Sequence, residues 1–185
     1  MLKKLYLTRH CAAEGQEADA SLSPEGRNQA VELAQKLASI PFDKLFSSPF
    51  LRAIQSIEPL ALQLDKPITL DDRLEERRLS GEQLENWHEE LEKTFNDFTY
   101  KLQGGESSEK AANRGIETVL EALDITKEFA LVMTHGNLFT LILNHFDNTY
   151  GFQAWKGLTN PDVYCLCFED DQLVSMEHLF FEGNI

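Results

Sequence analysis

The apolar residues of this chain switch several times between a period of two and a helical period, and no repeat, low-complexity tract or Pro/Gly-rich linker interrupts them. Strand-like and helix-like segments that alternate in this way specify an α/β domain. With 185 residues, 42% of them hydrophobic, the chain has enough apolar surface for one ordinary core. A single domain over residues 1–185 is therefore expected.

Lys4 to Thr8 reads as a buried strand, followed by an irregular polar segment from Cys11 to Ser21. Ser23-Pro24 is a helix start, a capping hydroxyl before a proline at the first helical position, and Ala30, Leu33, Ala34 and Leu37 form the apolar stripe behind it. Lys44 to Ser47 is a short strand. Ser48-Pro49 repeats the start signal for a helix carrying Ile54, Ile57, Ala61 and Leu64, which Pro59 is expected to kink or end. Ile68 to Leu70 is a third strand candidate. Charged residues with periodic Leu84, Trp87, Leu91, Phe95 and Phe98 mark a helical excursion at about 82–103. Gly104-Gly105-Glu106-Ser107 is a turn and cap before a helix with Ala112, Ile116, Val119, Leu120 and Leu123 on its core face. Phe129 to Met133 is the most strand-like run, with a helix expected after Thr134-His135-Gly136-Asn137. Val163 to Phe168 and Leu173 to Leu179 pair as a hairpin.

Charge and targeting narrow the function. A formal charge of −14 argues against nucleic acid and membrane surfaces, which need a basic face. No segment approaches the roughly 18 to 20 apolar residues of a membrane helix, and Met1-Leu2-Lys3-Lys4 leads into a strand, so a soluble, cytoplasmic protein is expected. Cys11, Cys165 and Cys167 have the spacing of neither a disulfide framework nor a zinc site. Cys165 and Cys167 share one face of a strand and are read as buried structural thiols.

The residues that could carry chemistry fall at strand ends, where open α/β sheets bind ligands and where helix N-termini present N–H groups to phosphate. Arg9 and His10 close the first strand, Arg52 opens the second helix, and His135 closes the strongest later strand. Arginine presents a planar fork of donors to phosphate oxygens, and histidine supplies a nucleophilic nitrogen and a further donor. Singly each residue is as well explained by a surface ion pair or a satisfied polar group. Their joint placement carries the inference.

These residues lie in segments that resemble the histidine phosphatase (phosphoglycerate mutase-like) superfamily. Leu7-Thr8-Arg9-His10 is similar to its R-H-G signature, Leu22 through Ala30 to its L-T-x-x-G-x-x-Q-A helix start, and Phe46 through Ser56 to its S-S-x-x-x-R-A-x-Q-T segment. Leu74-Glu75-Glu76, Gly104-Gly105-Glu106-Ser107 and Thr134-His135-Gly136-Asn137 resemble the L-x-E, G-G-E-S and S-H-G elements in order. The resemblance implies a three-layer α/β/α sandwich with a mostly parallel central sheet and the excursion as a small roof over the site. It also implies a metal-independent phosphomonoester hydrolase without cofactor, acting on a small phosphorylated substrate. In that reading His10 is the nucleophile; Arg9, Arg52 and His135, with Gly136, bind the phosphoryl group; and Glu76 is the proton donor. Glu76 rather than Glu75 lies two residues after Leu74, as the pattern requires. Because His135 is followed by Gly136 and not by aspartate, the chain resembles the first branch of the superfamily.

Two departures matter. Cys11 replaces the glycine after the nucleophile, where a side chain is expected to narrow the pocket, weaken binding or add sensitivity to oxidation, and Ala12-Ala13-Glu14-Gly15 lacks the small hydroxyl and asparagine positions of the mutases. Phosphoglycerate mutase-type transfer is the second reading, and a non-catalytic phospho-ligand-binding module the third. A cysteine-dependent phosphatase would need arginine six residues after Cys11, where Glu17 stands. His88, His145 and His178 have no partners at metal-ligand spacing. Trp87, Phe95 and Phe98 are expected to pack on the core more than to line the pocket. The oligomeric state is left open.

Overall fold

Alternation along the strands sorts this chain into two cores. In the computed structural model, which describes residues 1–179, β1 (Leu2–Arg9) sends Leu5 and Leu7 to one face of the sheet and Tyr6 to the other. β4 (Phe129–Thr134) does the same with Ala130 and Val132 against Leu131 and Met133. One core is closed by α4 (Ser108–Ile125) and α5 (Gly136–Phe146), the other by α1 (Pro24–Leu37) and α2 (Leu51–Leu64). The result is the expected three-layer α/β/α sandwich.

With β2 (Lys44–Ser47), β3 (Ile68–Leu70), β5 (Asp162–Glu169) and β6 (Gln172–His178), the sheet runs in the order β3-β2-β4-β1-β5-β6. The β3-β2, β2-β4 and β4-β1 pairs are parallel, whereas β5 and β6 are antiparallel and form the expected hairpin. Register then fixes the site. Arg9 pairs with Thr134 and Ser47 with Met133, so His10, Ser48 and His135 leave three neighbouring parallel strands at one level. The backbone N–H groups of His10 and Ser48 continue the ladder, donating to the carbonyls of Thr134 and Met133 at 3.0 Å each.

Several local expectations change. Ser23 caps α1 through a bond from the Gly26 N–H, as read, but α2 begins at Leu51 behind Phe50 with no side-chain cap. Ser48 is instead engaged by His135, as described below. Pro59 sits inside α2 without ending it: one backbone bond is lost, and the buried Ala53, Ile57, Leu60 and Ala61 on both sides of it hold the helix on the core. Leu120, expected in the core, is 47% exposed. Within the excursion there is one regular helix, α3 (Trp87–Asn96), and a five-residue α6 (Phe152–Lys156) faces it. Phe95 and Phe98 do pack on the core. Trp87 does not, for its ring lines the cavity over the strand ends. Cys165 and Cys167 are free thiols 3.9 Å apart on one face of β5, with Cys165 buried and Cys167 half-buried.

Candidate active site

A cavity of about 370 Å³ opens beyond the carboxyl ends of β1 and β4. Arg9, His10, Glu76 and Gly136 line it, together with Gln16, Arg77, Asn137 and the apolar side chains of Leu79, Trp87, Leu91 and Trp155. The sequence-derived residues are therefore brought together, with Arg52 and His135 directly behind His10. Arg52 Nε donates to His10 Nε2 at 3.2 Å, and the His135 ring meets His10 edge to face at 5.1 Å.

His10 is held in one tautomer. Its Nδ1 lies 2.6 Å from the Cys11 carbonyl, which can only accept, so Nδ1 carries the proton and Nε2 keeps a lone pair. Burial pushes the imidazole down to about 3; the Cys11 hydrogen bond opposes this, and the Arg52 and Arg9 cations add to it. His135 is also driven well below the ordinary histidine range, by burial first and then by His10 and the surrounding arginines. The His135 Nε2 bonds Ser48 Oγ at 2.7 Å, while its Nδ1 is buried without a partner.

The arginines are anchored by main-chain acceptors rather than by carboxylates. Arg52, 1% exposed, donates through Nη1 to the carbonyls of Gln16 (3.1 Å) and Glu17 (2.8 Å). Arg9 Nη1 donates to the Thr159 carbonyl at 3.1 Å, and its buried Nε has no partner. Burial lowers both guanidinium groups, a shift that nearby Glu76 opposes. Gly136 allows this packing: a Cβ there would stand 3.1 Å from Arg9 Nε.

Glu76 is seated on the first turn of α5. Its carboxylate accepts from the N–H groups of Asn137 and Leu138 at 3.0 Å and of Arg77 at 2.9 Å. The helix N-terminus expected to be open to phosphate is thus occupied by an acidic side chain, the charge complement such a terminus favours. Glu76 lines the cavity and Glu75 does not. Arg114 fixes this segment from below, donating through Nη1 to the carbonyls of Arg73 (2.6 Å) and Glu75 (2.8 Å) and pairing with Glu106 at 2.9 Å.

The loop after His10 explains other motif positions. Gln29 Oε1 accepts the Ala12 N–H and Gln55 Oε1 the Leu22 N–H, both at 2.8 Å. Gly26 passes so close to this loop that a Cβ would lie 1.8 Å from the Ala12 carbonyl. Cys11 corrects an expectation: its side chain is fully buried in the core under α1 and α2, is absent from the cavity wall, and its thiol is pushed up to about 12 by burial. Gln16, Arg77, Trp155 and the Asn137 side chain were not anticipated in the cavity wall. Asn137 gave a signal, as a polar residue in the His135 motif; Trp155 gave none. Among the described residues, no group of three or more His, Cys, Asp or Glu is arranged to share a metal ion.

A parallel-centred sheet whose strand ends converge on two histidines, two arginines and a glutamate defines an α/β protein with a phosphoryl-type anion site. The chain belongs to the histidine phosphatase superfamily, branch 1, whose sequence model matches residues 5–178. It is 27% identical to a probable phosphatase of Schizosaccharomyces pombe over 95% of this chain and 88% of that protein. Its fold is similar to that of a mycobacterial glucosyl-3-phosphoglycerate phosphatase (TM-score 0.76, 21% identity, 100% of both chains). It is also similar to that of a phosphoglycerate mutase from Bacillus anthracis (TM-score 0.76, 19% identity, 96% of this chain and 92% of that one). The fold is thus phosphoglycerate mutase-like.

Proposed function

We propose that the protein is a metal-independent phosphomonoester hydrolase that passes through a phosphohistidine on His10. The observation that carries this reading is the tautomer of His10: Nδ1–H is tied to the Cys11 carbonyl, so Nε2 keeps a neutral lone pair, held by Arg52 Nε–H beside the cavity that His10 and Arg9 line. In the free site the Arg52 Nε–H rests on that lone pair. A bound phosphate draws the guanidinium onto its oxygens and releases Nε2 for attack.

Attack forms the N–P bond as the ester P–O bond breaks. Glu76 in its protonated form gives its proton to the leaving alkoxide, Arg9 on the cavity wall receives the phosphoryl oxygens, and Arg52 and the unpartnered His135 Nδ1 behind His10 stabilise the charge as it shifts. In the second half-reaction Glu76 takes a proton from water, the water oxygen bonds phosphorus, and the N–P bond breaks to return neutral His10 and inorganic phosphate. The −14 charge and the small cavity support a small phosphorylated substrate over a nucleic acid.

The test is hydrolysis of p-nitrophenyl phosphate with a chelator present. His10→Ala is expected to lose at least about 10³-fold in kcat, and Glu76→Gln about 10²-fold with an altered pH profile. Full turnover by His10→Ala would refute the mechanism.

A further inference from the structure

Part of the cavity wall is apolar, unlike the residues around His10. Trp87 on α3 and Trp155 on α6 meet edge to face at 6.0 Å, and Leu79 and Leu91 complete an apolar wall. Each tryptophan is backed by a second ring: His88 lies 3.6 Å from Trp87, and Phe152 stacks on Trp155 at 5.5 Å with planes 16° apart. Trp87 is nevertheless 41% exposed, a large apolar ring left facing the opening.

Charge on this wall is equally specific. Among the described residues, the cations that line the cavity are Arg9, beside His10, and Arg77. Every guanidinium nitrogen of Arg77 is already engaged, Nε and Nη2 with the Glu106 carbonyl at 2.9 and 2.8 Å and Nη1 with Thr94 Oγ1 at 2.6 Å, and the residue is 5% exposed. A carboxylate on the organic part of a substrate would meet indole rings, leucines and the Glu76 carboxyl, with no cation ready to receive it. The polar groups that remain, Gln16 and the unpartnered Asn137 amide, are neutral.

We propose that this site takes phosphomonoesters whose organic part is uncharged and carries a planar aromatic ring, packed against the Trp87–Trp155 pair, and that it discriminates against phosphorylated hydroxy and amino acids. The proposal rests on the phosphatase reading above and names its substrate class. A cavity of about 370 Å³ has room for a phosphate and one ring system, near the lower end of the size range of small-molecule sites. Ring stacking and apolar burial supply the preference, and a buried unpaired carboxylate would be penalised.

The test compares kcat/KM for 2-naphthylmethyl phosphate, 3-phosphoglycerate and phosphoserine, all esters of primary alcohols, so that leaving-group reactivity is similar. We expect the aromatic ester to be preferred by at least about tenfold. Trp87→Ala and Trp155→Ala should each reduce that preference by about fivefold, chiefly through KM, while Trp87→Phe keeps most of it. Binding of 2-naphthylmethylphosphonate to the wild-type protein, followed by calorimetry and by quenching of tryptophan fluorescence, tests recognition without turnover. Hydrolysis of p-nitrophenyl phosphate that depends on His10, with no preference for the aromatic ester or none lost in the tryptophan variants, would overturn this proposal and leave the phosphatase reading intact. Tight phosphonate binding without any hydrolysis would sink the phosphatase reading and uphold the recognition chemistry. Absence of phosphonate binding would overturn the substrate class.

Discussion

Cys11 follows His10 directly, yet its side chain and its backbone belong to different parts of the molecule. The carbonyl orients His10 and the N–H donates to Ser56 Oγ at 2.9 Å, while the thiol is fully buried beside Tyr6, Leu22 and Ala30. A glycine is not demanded here, because Cys11 is not among the residues with positive φ. With the thiol pushed up to about 12, roughly one molecule in ten thousand carries a thiolate at pH 8. Cys11 should therefore resist thiol reagents in the folded protein and react only on unfolding, as read by peptide mass spectrometry; prompt labelling of folded protein would contradict this burial. Cys11→Gly should lower stability by about 1–2 kcal/mol in urea melts, from lost core volume and added chain entropy. At this scale the sequence was most legible where backbone position alone decides. Register places Arg9, His10 and His135 together, and Glu76 rather than Glu75 fits the L-x-E pattern of the resemblance and lines the cavity. The direction of a side chain such as Cys11 was not legible, because it depends on packing between α1 and α2 that no local pattern encodes.

Between elements, the position of Glu76 depends on a brace formed by residues remote in sequence. Thr134 Oγ1 donates to the Leu74 carbonyl at 2.8 Å, Arg114 from α4 holds the carbonyls of Arg73 and Glu75, and Glu106 from the G-G-E-S loop pairs with Arg114. Arg77, Glu106 and Thr94 extend the brace to α3, so the roof helix and the Glu76 segment are joined. Arg114 thus acts as a positioning residue for Glu76. Arg114→Ala should lower kcat about tenfold with a smaller change in KM, alter the pH profile of kcat, and destabilise the fold by about 1–3 kcal/mol by leaving Glu106 unpaired. If kcat and the pH profile are unchanged while stability falls, the brace is structural only. Long periodic elements were legible in the sequence, and the strands emerged nearly as read. The start of α2 was misread because the Ser48 hydroxyl is bound by His135 and does not cap the helix. The five-residue α6 spans too little chain to show a period, so Trp155 was not foreseen.

For the molecule as a whole, the site has a thermodynamic cost that appears with acid. His10 and His135 are both buried, and burial together with the nearby Arg9 and Arg52 cations holds both neutral, although the whole chain carries a formal charge of −14. An unfolded histidine takes up a proton near pH 6.5, whereas folded His10 refuses it until about pH 3. As pH falls below 6.5 the unfolded state therefore binds more protons, and stability drops with it. For His10 alone the loss is about 2 kcal/mol by pH 5, since each pH unit in this window is worth about 1.4 kcal/mol, and His135 acts in the same direction. Urea midpoints measured between pH 7.5 and 5 should decline less steeply in His10→Asn than in the wild type, and less steeply still in the variant that also carries His135→Asn. Parallel declines in all three proteins would mean that the imidazoles become protonated in place, and the proposal of a neutral His10 nucleophile would lose its physical basis. The acid instability and the neutral state of His10 on which the proposed mechanism rests thus share one cause, burial of an imidazole among guanidinium groups, and a variant that removes the first removes the second.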